Sequence, residues 1–335
     1  MAENYEKPNF DKYKDYLSRV LAQASLKIGA IALNATEPFT WASGYRMPIY
    51  NDNRMLLGLP LTRKLTTDGF SEIIEKNDIT FDYILGTSSA GIAPASSLAT
   101  KYDKPLIIIN EGQAFQMNKY FDYNYDTWKH ADVIASVVPW AIHDGVTIAN
   151  KFEKPFIYVR PAKKDHGKQK QVEGILLPEQ KVALINIYKN EENNYWESAI
   201  NAIRAEGGSL TSMTTGYNIE GIKPINIENK RVLVIEDLIS TGGSSAKEVD
   251  AARNLGATAN QLISIFTYNL DEAKGQFDKL VPKCDTYSIL PYEILLEEAV
   301  NTGRLNKDDE ALLKEWRADP FNWGEKHGFP KIEKK

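Results

Sequence analysis

A single cysteine, Cys284, in 335 residues leaves no disulfide framework within one chain and no multi-cysteine zinc or iron–sulfur centre. A reducing compartment is the expectation. Basic residues are in deficit as well: 40 Lys plus Arg stand against 45 Asp plus Glu, so no global positive field gathers nucleic acid or anionic lipid. Any phosphate ligand must be gripped by local geometry. No apolar run approaches the length that spans a bilayer, and the start, MAENYEKPNFDKYKDYL, lacks the basic-then-apolar pattern of a secretory leader. The expected location is the cytoplasm. What is present is a hydrophobic share of 43%, enough for a sizeable core, and a length that fits two domains or one enlarged one at about 100–200 residues each.

Apolar residues at helical spacing (Tyr13, Tyr16, Leu17, Val20, Leu21, Leu26) predict an N-terminal helix that stops near Gly29. A turn-rich aromatic stretch, PFTWASGYRMPIYNDNR, follows. From residue 81 short buried-strand patterns alternate with helical ones: FDYILG, GIAPASSLATKY and PLIII, then FIYVR, KVALINIY, RVLVIED and LISIFTY. This alternation predicts βαβ units in an α/β fold with a parallel sheet flanked by helices, whose ligands gather at the carboxyl ends of the strands.

The chain also repeats itself. Laying residues 81–109 on 131–159 matches Asp82/Asp132, Ile84/Ile134, Ile92/Ile142, Ala99/Ala149, Lys101/Lys151, Lys104/Lys154, Pro105/Pro155 and Ile107/Ile157. The same offset lays KVALINIY on RVLVIEDL more weakly. A duplication is the favoured reading, against the generic likeness of any two βαβ units.

Chemistry concentrates in RVLVIEDLISTGGSSAKEVDAARNLGA, residues 231–257. An apolar strand ends in two adjacent carboxylates, Glu236 and Asp237, and a Ser/Thr/Gly loop leads into an amphipathic helix. Such a loop aims successive backbone N–H groups at a phosphate, which the helix dipole also favours. Gly242 and Gly243 permit close approach, and Ser240, Thr241, Ser244 and Ser245 add hydroxyls. The acids would repel a phosphate, so they suit a neighbouring polyol or a magnesium ion carried by the ligand. A phosphorylated sugar meets all of these demands. The GxxxxGK[ST] pattern of a Walker loop is absent.

VLVIEDLISTGGS closely resembles the phosphoribosyl diphosphate (PRPP) signature of type I phosphoribosyltransferases, in the wording of the orotate phosphoribosyltransferases. PFTWASGYRMPIYNDNR, GTSSAGIAPASSLA, YVRPAKKDHGKQKQVEG and LLKEWRADPFNW agree with that family. The resemblance implies a type I phosphoribosyltransferase-like sheet under an N-terminal hood, and transfer of the phosphoribosyl group from PRPP to orotate, with Mg²⁺, in pyrimidine synthesis. It assigns PRPP contacts to Glu236, Asp237, Leu238, Ile239, Ser240, Thr241, Gly242, Gly243 and Ser244, and to the loop Thr87, Ser88, Ser89, Ala90 and Gly91. Arg160, Lys164 and His166 of the basic loop are implied to meet the diphosphate, with Lys164 the principal catalytic residue and Asp237 also catalytic. Orotate contacts fall to Ser240, Phe39 and Arg46. Magnesium is expected on the diphosphate and ribose, without a dedicated protein cage.

Three residues depart from the family pattern: Arg46 stands where many relatives carry lysine, Pro161 replaces a second loop lysine, and Tyr268 occupies a strand end where some branches place arginine. The larger departure is length. Residues 1–110 and 231–335 compose the expected core with hood and C-terminal helices; residues 111–230 are expected to be an inserted, degenerate phosphoribosyltransferase-like domain that brings the loop 160–174. In it SVVPWA replaces GTSSAG, and NIYKNEENNY replaces EDLISTGGSS. The family implies a homodimer sharing its basic loops; an intramolecular pseudo-dimer is the alternative this insertion raises. A non-catalytic PRPP sensor and a transferase for another base also remain open.

Overall fold

The computed structural model describes residues 15–41, 43–117, 128–162, 170–188, 195–218 and 223–332. Helix α1 (Tyr16–Ile28) turns Leu21, Ala22 and Leu26 inward and stops at Gly29, whose φ of 73° suits a residue without Cβ. Tyr13 lies outside the described residues. A hood follows, made of β1 (Ile31–Leu33), β2 (Phe39–Thr40), β3 (Arg46–Met47) and β4 (Ile49–Asn51). β1 pairs with β4 and β2 with β3, both antiparallel. A 3-10 turn, Asn53–Gly58, then leads into α2 (Pro60–Lys76), with proline in its first turn where the missing N–H costs nothing.

The α/β alternation appears as expected. In chain order come β5 (Tyr83–Gly86), α3 (Ile92–Tyr102), β6 (Leu106–Asn110), β7 (Gln113–Met117), β8 (Val133–Val137), α4 (Ile142–Lys151), β9 (Phe156–Val159) and β10 (Val172–Glu173). β11 (Lys181–Tyr188), α5 (Trp196–Ala205), β12 (Ser209–Asn218), β13 (Arg231–Ile239), α6 (Gly243–Asn254) and β14 (Thr258–Thr267) continue the pattern. The chain closes with α7 (Asp271–Asp278), β15 (Asp285–Pro291), α8 (Tyr292–Asn301), α9 (Lys307–Ala318) and α10 (Pro320–Lys326).

These strands form two large sheets. One runs β15-β14-β13-β5-β6-β7 and the other β12-β11-β8-β9-β10. Within each, neighbours are parallel except for the last strand, β7 or β10, which returns antiparallel. The central strands carry apolar runs, as burial on both faces requires: Ile84, Leu85, Val234 and Ile235 in one, Val133, Ile134, Leu184 and Ile185 in the other are fully buried. The second sheet spans residues 133–218, less than the 111–230 expected of an insertion. β7 stays with the first sheet because the Glu111–Gly112 turn folds it back on β6, and Ile225 and Ile227 pack on that sheet too.

The two sheets meet through helices. α3 packs on α4, and one apolar cluster, including Ile92, Leu98, Ile142 and Val146, runs across the joint. Asn150 donates to Ser97 Oγ at 2.8 Å. Arg63 on α2 spans the same joint, donating to Leu57 O (2.6 Å), Asn150 Oδ1 (2.9 Å) and Lys154 O (2.6 Å). Burial pushes this guanidinium down to about 10, still cationic at neutral pH. Among the described residues no helix is long and apolar enough to cross a membrane.

Candidate active site

The carboxyl ends of β5 and β13 lie side by side, so the loops that follow them share one crevice. After β5 the chain turns tightly: Thr87 N donates to Ile235 O at 3.1 Å and Gly91 N to Thr87 O at 3.0 Å, through a cis Ser88–Ser89 peptide. Only glycine fits at position 91, since a Cβ there would stand 2.2 Å from Thr87 Oγ1 and 2.5 Å from Ile235 O. After β13, Gly242 takes a φ of 77° and starts α6, leaving the first helical N–H groups facing the crevice.

Between the two loops lies a cavity of about 510 Å³. Of the residues expected to bind PRPP, Thr87, Ser88, Ser89, Ala90, Glu236, Asp237, Leu238, Ser240, Thr241, Gly242, Ser244 and Arg160 line it. Gly91 and Gly243 shape the backbone behind that lining, and Ile239 points into the apolar core. Lys164 and His166 lie outside the described residues. A cavity of similar volume, about 520 Å³, opens between β14, α7 and β15. Its lining mixes Lys274, Lys283 and Arg317 with Asp271, Asp278 and Asp285, charges that offset one another without a phosphate cradle.

The two acids differ in their surroundings. Glu236 is buried and held on three sides: Thr87 Oγ1 donates to it at 2.7 Å, Ser245 Oγ at 3.0 Å, and the Asp237 N–H at 2.9 Å. Asp237 projects into the cavity, its own carbonyl accepting from Asn53 Nδ2 at 2.6 Å. Burial, joined by the Glu236 carboxylate beside it, pushes the Asp237 carboxyl well above the ordinary range. Among the described residues no three His, Cys, Asp or Glu side chains cluster to hold a metal by themselves. Two adjacent carboxylates beside a Ser/Thr/Gly loop at a helix start offer the oxygen donors that a ligand-borne Mg²⁺ favours.

The opposite wall carries a chain of alternating charge not anticipated from the sequence. Asp52 accepts from Arg54 Nε at 2.5 Å, Arg54 also donates to Glu173, and Glu173 accepts from Arg160 Nε at 2.8 Å. Burial alone would lower the Arg54 guanidinium, but its pairing with Asp52 and Glu173 holds it above its ordinary value. Tyr158 lies beneath both arginines, its ring 5.8 Å from the Arg160 guanidinium. Asp52 and Arg54 end the hood motif IYNDNR, while Arg160 and Glu173 flank the basic loop. The motif edges were visible in the sequence; their pairing across 119 positions was not.

The expected base contacts are more scattered. Ser240 lines the cavity. Phe39 lies against Tyr50, ring centroids 5.9 Å apart, on the hood side. Arg46 is engaged elsewhere: Nη2 donates to Pro38 O at 2.8 Å, and the guanidinium covers the Phe329 ring at 5.6 Å. Tyr268 is fully buried among Trp41, Phe266, Tyr292 and Trp316, so it forms part of an aromatic core under the hood.

No family model matches the chain. Whole-length similarity to curated proteins is nevertheless clear. The orotate phosphoribosyltransferase of Bacillus caldolyticus is 30% identical over 304 residues, covering 91% of this chain and 98% of the relative. Those of Listeria innocua and Porphyromonas gingivalis are 29% and 27% identical over 308 residues each, covering 92% of this chain and 99% and 98% of the relatives. With the cradle, the acid pair and this extent of similarity together, the chain belongs to the orotate phosphoribosyltransferase family.

Proposed function

We propose that the protein transfers the 5-phosphoribosyl group of PRPP to orotate, giving orotidine 5′-monophosphate and diphosphate. The observation that carries this reading is the single cavity in which the β5 loop, the acid pair, the α6 start and Arg160 converge. The 5-phosphate fits the Ser240–Ser244 loop, where unpaired helix N–H groups and hydroxyls accept an anion. Glu236 and Asp237 then face the ribose hydroxyls, Glu236 held rigid by its three donors. The diphosphate extends toward Thr87–Ala90 and the arginine wall.

Loss of diphosphate from ribose C1 leaves an oxocarbenium-like centre and a departing group that gathers negative charge; the orotate ring nitrogen gives up its proton and bonds to C1. Cations that meet the diphosphate best in the transition state lower that barrier. Arg160 on the cavity wall supports this reading, and the family resemblance assigns the same task to Lys164 and His166. Mg²⁺ on the diphosphate and ribose oxygens would neutralise further charge there. Ser240 and Phe39 are assigned to the base, and Arg46 by resemblance only.

The test is the loss of orotate absorbance with PRPP and Mg²⁺. Loss dependent on both supports the reading. Bound PRPP without orotate loss, with or without turnover of another base, overturns it.

A further inference from the structure

The two sheets share one plan down to single hydrogen bonds. Asp82 N donates to Arg231 O (2.9 Å) and its carboxylate accepts from Arg231 N (2.9 Å); Asp132 does the same with Lys181 (2.7 and 2.8 Å). Asn229 N reaches Gly256 O as Glu179 N reaches Gly207 O, both at 2.8 Å, and all four residues have positive φ. Strand for strand, β14-β13-β5-β6-β7 corresponds to β12-β11-β8-β9-β10. The equivalent helices α3 and α4 pack on each other, as equivalent elements do across a two-fold axis between subunits.

The two units have lost opposite things. The first keeps the phosphate loop and the acid pair, but its β6–β7 connection is reduced to Glu111–Gly112, both with positive φ as a tight hairpin turn requires. The second keeps the long connection 160–171 between β9 and β10, but has Pro139 and Trp140 where the phosphate loop would be, and buried Asn186 and Ile187 where the acids would be.

The register makes the contrast sharper. Phe115 stands opposite Ile108 in the first unit as Glu173 stands opposite Tyr158 in the second, so Phe115 and Glu173 are equivalent. Phe115 of β7 crosses to the second unit and meets Trp140 edge-on, centroids 5.7 Å apart. Glu173 of β10 crosses the other way and holds Arg54 and Arg160 at the cavity of the first unit. One crossing is an aromatic contact and the other a buried charge that holds two arginines at the cavity wall.

We infer that residues 133–218 are a degenerate second phosphoribosyltransferase core retained as a built-in partner subunit, and that each chain holds one competent site completed in cis by Arg160 and Glu173. This rests on the transferase reading above. The other pseudo-equivalent site is closed from both sides: its cradle is filled, and the loop that would serve it has been trimmed away.

The test co-expresses two differently tagged full-length variants, Arg160→Ala and Asp237→Asn, and isolates any oligomer carrying both tags alongside each variant alone. Each variant alone should lose about 100-fold or more in turnover, and the mixed sample should show only the mean of the two. Recovery of a substantial fraction of wild-type turnover in the mixture overturns the site in cis. A wild-type chain that consumes no orotate overturns the transferase reading instead. The arrangement is then judged on the same samples by the PRPP-induced rise in melting temperature, which Arg160→Ala must reduce and mixing must not restore.

Discussion

Arg54 of the 3-10 turn below the hood and Arg160 of the second α/β unit reach the same carboxylate, Glu173, which is 2% exposed. Removing that charge leaves two guanidinium groups close together without their shared counter-ion. Glu173→Gln should therefore cost the ligand-free protein about 3 kcal/mol of stability, as breaking a largely buried ion network does. Added PRPP with Mg²⁺ should return more of the lost melting temperature than it adds to the wild type, because the diphosphate replaces the missing negative charge. An equal ligand-induced shift in both proteins would contradict this role for the carboxylate.

The Gly91 position has no room for a methyl group. A Cβ there would displace Thr87, whose hydroxyl donates to Glu236 at 2.7 Å. Gly91→Ala should weaken PRPP binding by at least about tenfold, a change of 1.4 kcal/mol, measured by titration calorimetry. An unchanged dissociation constant would show that the β5 loop takes no part in holding the ligand.

Asp237 gives a pH signature. Burial and the neighbouring Glu236 raise its folded-state pKa above the unfolded value, so the native state holds its proton more tightly than the unfolded chain does. Stability from this group is fully present below the unfolded pKa and is lost as pH rises toward the folded pKa. Asp237→Asn should therefore melt above the wild type at neutral and higher pH, with the difference shrinking toward pH about 4, while turnover falls. A variant less stable than wild type at pH about 8 would reverse the sign and contradict the electrostatic account.

Cys284 is 1% exposed, and burial pushes its thiol up to about 12. It should resist alkylation by iodoacetamide at pH about 8 in the native protein, since the thiolate is the nucleophile, and react fully once unfolded. Mass spectrometry reads both states. Rapid native labelling would mean that the β14–β15 region opens far more readily than its packing implies.

The parts of this site that sequence reveals are the local ones. Residues 231–257 encode strand, acids, glycine turn and helix within one continuous stretch, so chemistry and geometry are written together. GTSSAG is similarly self-contained, and the alternation of buried strands and amphipathic helices is a local pattern too. The ion chain from Asp52 to Arg160 is different: the resemblance singles out Arg160, but Asp52, Arg54 and Glu173 read as ordinary surface charges until the second unit folds against the first. Tyr268 shows the same limit. The sequence marks it only as a departure at a strand end where some branches carry arginine, and packing by Trp41 and Trp316 from distant segments identifies it as core. The trimmed Glu111–Gly112 turn acquires meaning only beside its longer counterpart at 160–171.

The most direct test of a complete site within one chain is active-enzyme sedimentation, in which orotate absorbance is followed in the migrating band with PRPP and Mg²⁺ present. The account predicts that orotate consumption travels with a species of 37.7 kDa, the mass of a single chain. Consumption confined to a species of twice that mass, and restored in that species when Arg160→Ala and Asp237→Asn chains are combined, would contradict it.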